Sequence, residues 1–185
     1  MDIKAQLQSE LSRANIDFTI QTLGNDPEHF KELINLIFNE PDPLPMRASW
    51  VMEGITEKHP EMIRPYIGML TRNLKKFTHP GTRRNILKIF TRIEIPEKYH
   101  GILLDICFEW ISDEKTTVAE KVHAMQIIAN HLWHYPELVN EFIEIIDVQI
   151  PRNSAGFESR ARLIKKEMKG VLKAEGRRYN SEFRI

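Results

Sequence analysis

The stretch PEHFKELINLI, residues 27–37, decides the fold, because its pattern returns three more times along the chain. The dipeptide Pro-Glu begins at residues 27, 60, 96 and 136, and the third, sixth, seventh and tenth residues after each proline are apolar. Those offsets place the apolar side chains on one stripe of a helix with about 3.6 residues per turn, whereas a strand would need a period of two. Each Pro-Glu therefore predicts the start of a helix, since proline is tolerated at the first helical position.

A second column of residues predicts a second helix in each unit. The sixteen apolar positions of the first helices are Phe30, Leu33, Ile34, Ile37, Ile63, Tyr66, Ile67, Leu70, Tyr99, Ile102, Leu103, Ile106, Val139, Phe142, Ile143 and Ile146. The second column consists of Arg47, Arg83, His123 and Arg160. One residue further on stand Ala48, Arg84, Ala124 and Ala161, and four further on stand Val51, Leu87, Ile127 and Ile164. An apolar position and a small neighbour favour close packing of one helix on another, so each unit is predicted to be a helical pair.

The predicted architecture is an all-α array of stacked helical pairs. We expect helices near 2–12 and 15–23, followed by pairs near 27–39 with 44–58, 60–76 with 81–93, 97–112 with 116–134, and 137–150 with 155–174. These make four repeats, near 27–59, 60–95, 96–135 and 136–174, behind an N-terminal helical hairpin. An isolated pair cannot bury its apolar stripe, so the pairs must stack. We expect a single domain over residues 1–175 and a flexible basic tail at 176–185.

Composition excludes several classes of protein. The 26 basic and 26 acidic residues balance, and a lone Cys107 rules out an internal disulfide and a multi-cysteine zinc site. The charge is uneven, because residues 152–185 hold ten basic and four acidic residues, whereas residues 1–151 have an acidic excess of six. The sequence offers no signal-peptide-like start and no apolar run of membrane-spanning length. We therefore expect a cytoplasmic protein that is not in a membrane.

Residues that could carry chemistry do not form a recognisable set. Three pairs of potential metal ligands occur at i,i+3 spacing: His131 with His134, Glu97 with His100, and Glu120 with His123. The first pair lacks a third local ligand, and antiparallel helices would place the two Glu-x-x-His pairs at opposite ends. The sequence has no glycine-rich phosphate loop and no Gly-x-Ser-x-Gly, and nothing near Cys107 would lower its pKa. We expect no metal, no cofactor and no catalytic residue.

The stretch DPLPMRA, residues 42–48, resembles the second-helix opening of HEAT repeats, in which an Asp-Pro turn precedes Val-Arg and a small residue. The resemblance covers residues 27 to about 174 and implies a right-handed α-α superhelix, a HEAT-like solenoid. In that family the arginine takes part in an Asp/Arg ladder, which implies a structural role for Arg47, Arg83 and Arg160. Because His79 or Pro80 replaces the second Asp and His123 replaces an arginine, we expect an irregular ladder in the middle of the array.

The whole chain is also similar to a family of small bacterial HEAT-like proteins. The shared motifs are RASWV at 47–51, CFEW at 107–110, HAMQI at 123–127 and NSAGFESR at 153–160. No established activity comes with this resemblance, although some sequences of this kind carry an adenylosuccinate lyase label. The chain does not support that activity, because the lyase loop Ser-Ser-x-Met-Pro-x-Lys-x-Asn has no counterpart here: no Met-Pro follows residues 153–157.

The second helices of such solenoids line the concave surface that binds partners. With the apolar column facing inward, the opposite side presents the candidate contacts Trp50, Glu53, Arg84, Lys88, Arg92, Gln126, Asn130 and His134. Trp50 could instead wedge between repeats. The leading hypothesis is a non-enzymatic scaffold that binds a protein or peptide. The alternative is a nucleic-acid-binding protein related to HEAT-like alkylpurine DNA glycosylases, which the basic C-terminal segment suggests and the zero net charge disfavours.

Overall fold

The computed structural model describes the backbone of residues 1–182 and the side chains of residues 1–173. This described part contains ten α-helices, several 3₁₀ turns and no strand, which confirms the all-α prediction. The chain divides into two compact units, Met1–Tyr99 and His100–Ile185. A single domain over residues 1–175 stays a prediction, and the predicted tail at 176–185 lies outside the residues whose side chains are described.

The first unit contains two rows of helices. Its helices are α1 (Ile3–Ser9), α2 (Arg13–Leu23), α3 (Pro27–Asn39), α4 (Leu44–Lys58), α5 (Ile67–Asn73) and α6 (Pro80–Phe90). Helix α4 packs against α2, α3 and α6, and α1 packs against α2 and α3. The second helices α2, α4 and α6 therefore form one row, and α1 and α3 belong to the other. Gly54 makes the close approach of α4 to α2 possible, because a Cβ there would overlap Ile20 Cδ1.

The second unit repeats this arrangement. Its helices are α7 (His100–Ser112), α8 (Val118–His131), α9 (Val139–Gln149) and α10 (Ala155–Glu182). Helix α7 packs against α8 and α9, and α10 packs against α8 and α9. The first helices α7 and α9 thus form one row and the second helices α8 and α10 the other. Over the described residues, no helix has both the length and the apolar character needed to cross a bilayer.

Local sequence explains where the helices begin. The Asp26 carboxylate accepts hydrogen bonds from the backbone N–H groups of Glu28 and His29 at the start of α3. Of the four Pro-Glu dipeptides, only the first opens an α-helix directly, since 3₁₀ turns follow the others at Pro60–Tyr66, Glu97–Tyr99 and Pro136–Leu138. The continuous helix expected near 60–76 is therefore divided. Pro65 lacks the N–H that an α-helical bond would need at that point.

Most positions of the predicted apolar stripe are buried in the core. Of its sixteen positions twelve are buried, three are half-buried, and Ile102 is 43% exposed. The second-helix column is more uniform, because Val51, Leu87, Ile127 and Ile164 are each at most 1% exposed. Their small neighbours Ala48, Ala124 and Ala161 are fully buried. The core thus lies between the two helix rows of each unit, as the periodicity predicts.

Two adjacent residues of α7 provide a direct test of this packing. Leu103 is fully buried and Ile102 is exposed, although both belong to the predicted stripe. We expect Leu103→Ala to lower the free energy of unfolding by about 2–5 kcal/mol, because it removes buried methyl groups and leaves a cavity. Ile102→Ala should lower it by less than about 1 kcal/mol. Urea denaturation followed by circular dichroism measures both, and equal losses would contradict the burial described.

Candidate partner-binding surface

The eight candidate contacts fall into two groups, one in each unit. Five of them belong to the first unit: Trp50 and Glu53 lie on α4, Arg84 and Lys88 lie on α6, and Arg92 lies in the turn after α6. The other three, Gln126, Asn130 and His134, lie on α8 and in the turn after it.

Glu53 organises the first group. Its Oε1 lies 2.9 Å from Lys88 Nζ and accepts a hydrogen bond from Arg92 Nη2 at 2.6 Å. The Glu53 side chain is only 6% exposed, whereas those of Lys88 and Arg92 are 43% and 31% exposed. The sequence predicts Glu53 as a surface contact, but the structure buries it beneath the two cations. Its carboxylate therefore holds Lys88 and Arg92 in place and is itself covered.

Trp50 and Arg84 complete this face. Trp50 is half-buried, one turn before Glu53 on α4. The Arg84 guanidinium donates to Asn85 Oδ1 from Nε at 3.3 Å and from Nη2 at 3.1 Å. Asn85 in turn donates to Ser49 Oγ on α4 at 3.0 Å. Because Asn85 is buried and bonded to both helices, it fixes the position of Arg84 relative to α4.

Helix α2 adds charges that the sequence interpretation missed. Arg13 lies 2.9 Å from Asp17 one turn further along α2. The pKa of Arg13 is raised mainly by its hydrogen bond to Asp17 and by attraction to that carboxylate, with smaller contributions from Glu53 and Glu57 of α4. Helix α2 packs on α4 and α4 packs on α6, and we call the polar surface of these three helices the second-helix face. The i,i+4 spacing of Arg13 and Asp17 is the signal that could have indicated their pairing.

The four residues of the second column, Arg47, Arg83, His123 and Arg160, are half-buried and interact with other residues. Arg47 Nη1 donates to the Leu7 carbonyl at 2.6 Å, near the C-terminal end of α1, where backbone acceptors lack helical partners. Arg160 donates to Gln126 Oε1 across the second unit. Arg83 and His123 also have interaction partners. Where a HEAT-like ladder would have Asp42 contact an arginine, Asp42 instead accepts a hydrogen bond from Thr78 at 2.6 Å.

The candidate residues of α8 are engaged within their own unit. Gln126 Nε2 donates to Asn130 Oδ1 at 2.6 Å, while its Oε1 accepts from Arg160. These contacts connect α8 with α10 and leave Gln126 half-buried. Gln126 therefore links the helices of the second-helix row as well as contributing to its surface.

His134 belongs to a histidine cluster that the sequence reading only partly anticipated. The His100 ring lies 4.4 Å from the His131 ring and 6.1 Å from the His134 ring, measured between centroids. His100 Nδ1 is hydrogen-bonded to the Tyr135 hydroxyl at 3.0 Å, and His131 Nδ1 contacts the Ile127 carbonyl at 2.7 Å. Among the described residues, no three His, Cys, Asp or Glu side chains are arranged to hold a metal ion.

Two other candidates for chemistry have structural surroundings. Glu120 is fully buried, and its carboxylate accepts hydrogen bonds from the backbone N–H and the hydroxyl of Thr117 at 2.9 Å and 2.6 Å. This is a capping box at the start of α8. Cys107 is fully buried in α7, and burial raises the pKa of its thiol far above the usual range. Its low thiolate fraction makes it an unreactive core residue.

A family model described as a HEAT repeat domain matches residues 3–168. No curated protein and no solved structure matches the chain.

Glu53 can be tested against its neighbour Glu57, whose carboxylate lies 3.7 Å from Arg92 and is 64% exposed. We expect Glu53→Gln to lower the free energy of unfolding by about 1–3 kcal/mol, because it removes a buried charged acceptor that holds two cations. Glu57→Gln should change it by less than about 0.5 kcal/mol, because water screens that pair. Chemical denaturation of both variants measures the difference, and a larger effect for Glu57→Gln would contradict the arrangement.

His131 makes stability depend on pH. Burial lowers its pKa, like charge on His100 and His134 lowers it further, and the hydrogen bond to Ile127 opposes the shift. Between that lowered value and the ordinary value near 6.5, the folded chain binds fewer protons than the unfolded chain. The contribution of neutral His131 to the free energy of unfolding is therefore complete above about pH 6.5, and it is lost as the pH falls from there through the lowered pKa. Thermal denaturation of the His131→Gln variant should show a smaller loss of stability than that of the unaltered chain as the pH falls below about 6.5, and an equal loss would contradict this role of His131.

Proposed function

Because the chain belongs to the HEAT repeat domain family, we propose that it is a non-enzymatic scaffold that binds a protein or peptide along its second helices. HEAT repeats form helical scaffolds that generally mediate protein interactions, because stacked pairs present extended surfaces. Function is carried by the site and not by the fold, so the proposal depends on the second-helix face.

The observation that carries the proposal is the pair of cations held by Glu53. Lys88 and Arg92 keep 43% and 31% of their side chains exposed while their charged ends are bonded to one buried carboxylate. A partner that binds them meets groups that are already ordered, which lowers the entropy cost of association. Trp50 lies one turn before Glu53 on α4, and Arg84 lies one turn before Lys88 on α6. Trp and Arg are enriched among the residues that contribute most to binding energy.

The charges of this face favour a partner segment that carries carboxylates. Arg84 and Lys88 lie one turn apart on α6, and Arg92 follows four residues later, just beyond the end of that helix. Glu53 contacts Lys88 and Arg92, and Glu57 lies 3.7 Å from Arg92, so the charge that these two carboxylates do not offset is that of Arg84. Trp50 offers an apolar contact beside the cations. A short acidic segment with one apolar side chain would match both.

The ionisable groups of the face support a binding role. Glu53 is committed to Lys88 and Arg92, and Asp17 is committed to Arg13. A catalytic acid or base needs a pKa matched to its task and access to substrate. The face offers instead fixed cations beside an aromatic ring.

A second candidate function is nucleic-acid binding, which a basic stripe on α10 favours. Its exposed residues follow at i, i+4, i+7 and i+11: Arg162, Lys166, Lys169 and Lys173. A groove of about 400 Å³ next to them is lined by Ile150, Glu158, Arg162, Lys165, Lys166 and Lys169. Glu158 lies 2.6 Å from Arg162, and Asp147 is paired with Lys165, so part of this charge is neutralised. A relation to alkylpurine DNA glycosylases would add base-excision chemistry to this surface.

Affinity capture of the tagged full chain from its native lysate, after nuclease treatment, separates the two functions. We expect a specific protein partner whose recovery is reduced but not abolished at about 0.5 M salt, because screening weakens the charge contacts and leaves the apolar contact with Trp50. Trp50→Ala should abolish its recovery, whereas Trp133→Ala, a matched change of a tryptophan that is 54% exposed, should not.

Recovery of nucleic acid would give a different pattern. It would disappear at high salt and decrease with the double variant Lys166→Glu and Lys169→Glu, because phosphate contacts release counterions. That outcome, or a partner that is indifferent to Trp50→Ala, would overturn the second-helix face as the binding site.

A further inference from the structure

In the second unit, a groove lies between the first helices α7 and α9. Its volume is about 410 Å³, and its lining includes Leu104, Asp105, Phe108, Tyr135, Leu138 and Glu141. The second-helix face proposed above does not include any of these residues. We call this site the first-helix groove.

The floor of the groove is apolar and fixed. Leu104 and Phe108 lie one turn apart on α7, and the Phe108 ring meets the Phe142 ring of α9 edge to face at 6.0 Å. The Tyr135 hydroxyl is anchored by His100 Nδ1 at 3.0 Å. Gly101 lines the groove as well, and a Cβ there would meet nothing within 4 Å. The groove is therefore open space with a rigid floor.

The rim of the groove has charge of one sign. Neither α7 nor the segment Pro136–Gln149 contains a lysine or an arginine, although the chain has 26 of them. These two segments hold six exposed carboxylates: Asp105, Glu109, Glu137, Glu141, Glu144 and Asp147. Asp147 is paired with Lys165 of α10. Asp105 and Glu141 line the groove from α7 and from α9 respectively.

We propose that the first-helix groove binds a cationic amphipathic helix of a partner protein. Its apolar residues at i, i+3 or i+4 would contact Leu104, Phe108 and Leu138, and its Lys or Arg side chains would pair with Asp105 and Glu141. Grooves between helices take amphipathic helices in this way. Complementary charge speeds association and selects against acidic segments. This surface and the second-helix face are independent, because they consist of different residues in different units and call for partners of opposite charge.

The probe is a fluorescently labelled peptide of roughly 15 leucine and lysine residues at helical spacing, added to the full chain at low ionic strength. We expect binding with a Kd on the order of 10 µM that weakens with salt. The same peptide with glutamate in place of lysine should not bind. Fluorescence anisotropy measures both peptides.

Two pairs of variants test the groove itself. Gly101→Leu fills the open space without removing a charge, and Gly170→Leu is its control, because a Cβ at that exposed position of α10 also meets nothing within 4 Å. Glu141→Lys reverses a rim charge, and Glu114→Lys makes the same change at an exposed position that does not line the groove. We expect Gly101→Leu and Glu141→Lys each to weaken binding about tenfold, and both controls to stay within about twofold.

Other outcomes would overturn the proposal. Absence of binding, or equal weakening by a variant and its control, would exclude the groove as the site. A second copy of this chain could occupy the groove, and sedimentation of the chain alone tests for this. If the chain forms a dimer that Gly101→Leu dissociates, the occupant is a second copy and the proposed partner helix is excluded. Trp50→Ala should leave peptide binding unchanged, so failure of this proposal and failure of the second-helix proposal are distinguishable.

Discussion

Each helical pair in this chain depends on its neighbours to bury its apolar side chains. Val51, Leu87, Ile127 and Ile164 occupy the same position in successive second helices, and all are at most 1% exposed. A lone pair would leave such residues in water, at a cost of roughly 1.5–3 kcal/mol for each large apolar side chain. In three of the four repeats the residue three positions earlier is a fully buried alanine, so the helices can approach closely. The polar faces described above exist because this packing orients the helices that carry them.

The sequence predicts the helices well and their first turns less well. The ranges expected for α3 and α4 agree with the observed Pro27–Asn39 and Leu44–Lys58, because an apolar stripe and clear end signals coincide there. The pattern around residue 60 has the same stripe, yet its first turns are 3₁₀ because of Pro65. Ile102 fits the stripe and is exposed all the same. Periodicity records which side of a helix is apolar, but it does not record how far the neighbouring helix covers that side.

The candidate sites were predictable only in part, for a related reason. Helical spacing placed Glu53 and Lys88 correctly on second helices that face each other, but burial of Glu53 depends on cations that lie 35 and 39 residues later in the chain. The Thr78 hydroxyl that contacts Asp42 is also about one repeat away. The first-helix groove was not predictable from a motif. Its sequence feature is the lack of Lys and Arg on α7 and α9, and α8 separates these two helices in the sequence.

The polar bonds between neighbouring helical pairs within each unit share one property, which has a consequence for how the chain folds. Lys4 with Glu40, Asn85 with Ser49, Arg92 with Glu53, and Arg160 with Gln126 are separated by 34 to 39 residues. Each bond therefore closes a loop of about one repeat, and loop closure over that length costs less chain entropy than a contact between distant segments. Folding can start in any pair and extend to the next, which favours a fast reaction of low contact order. A pair that has already formed then provides the surface on which the following one becomes ordered.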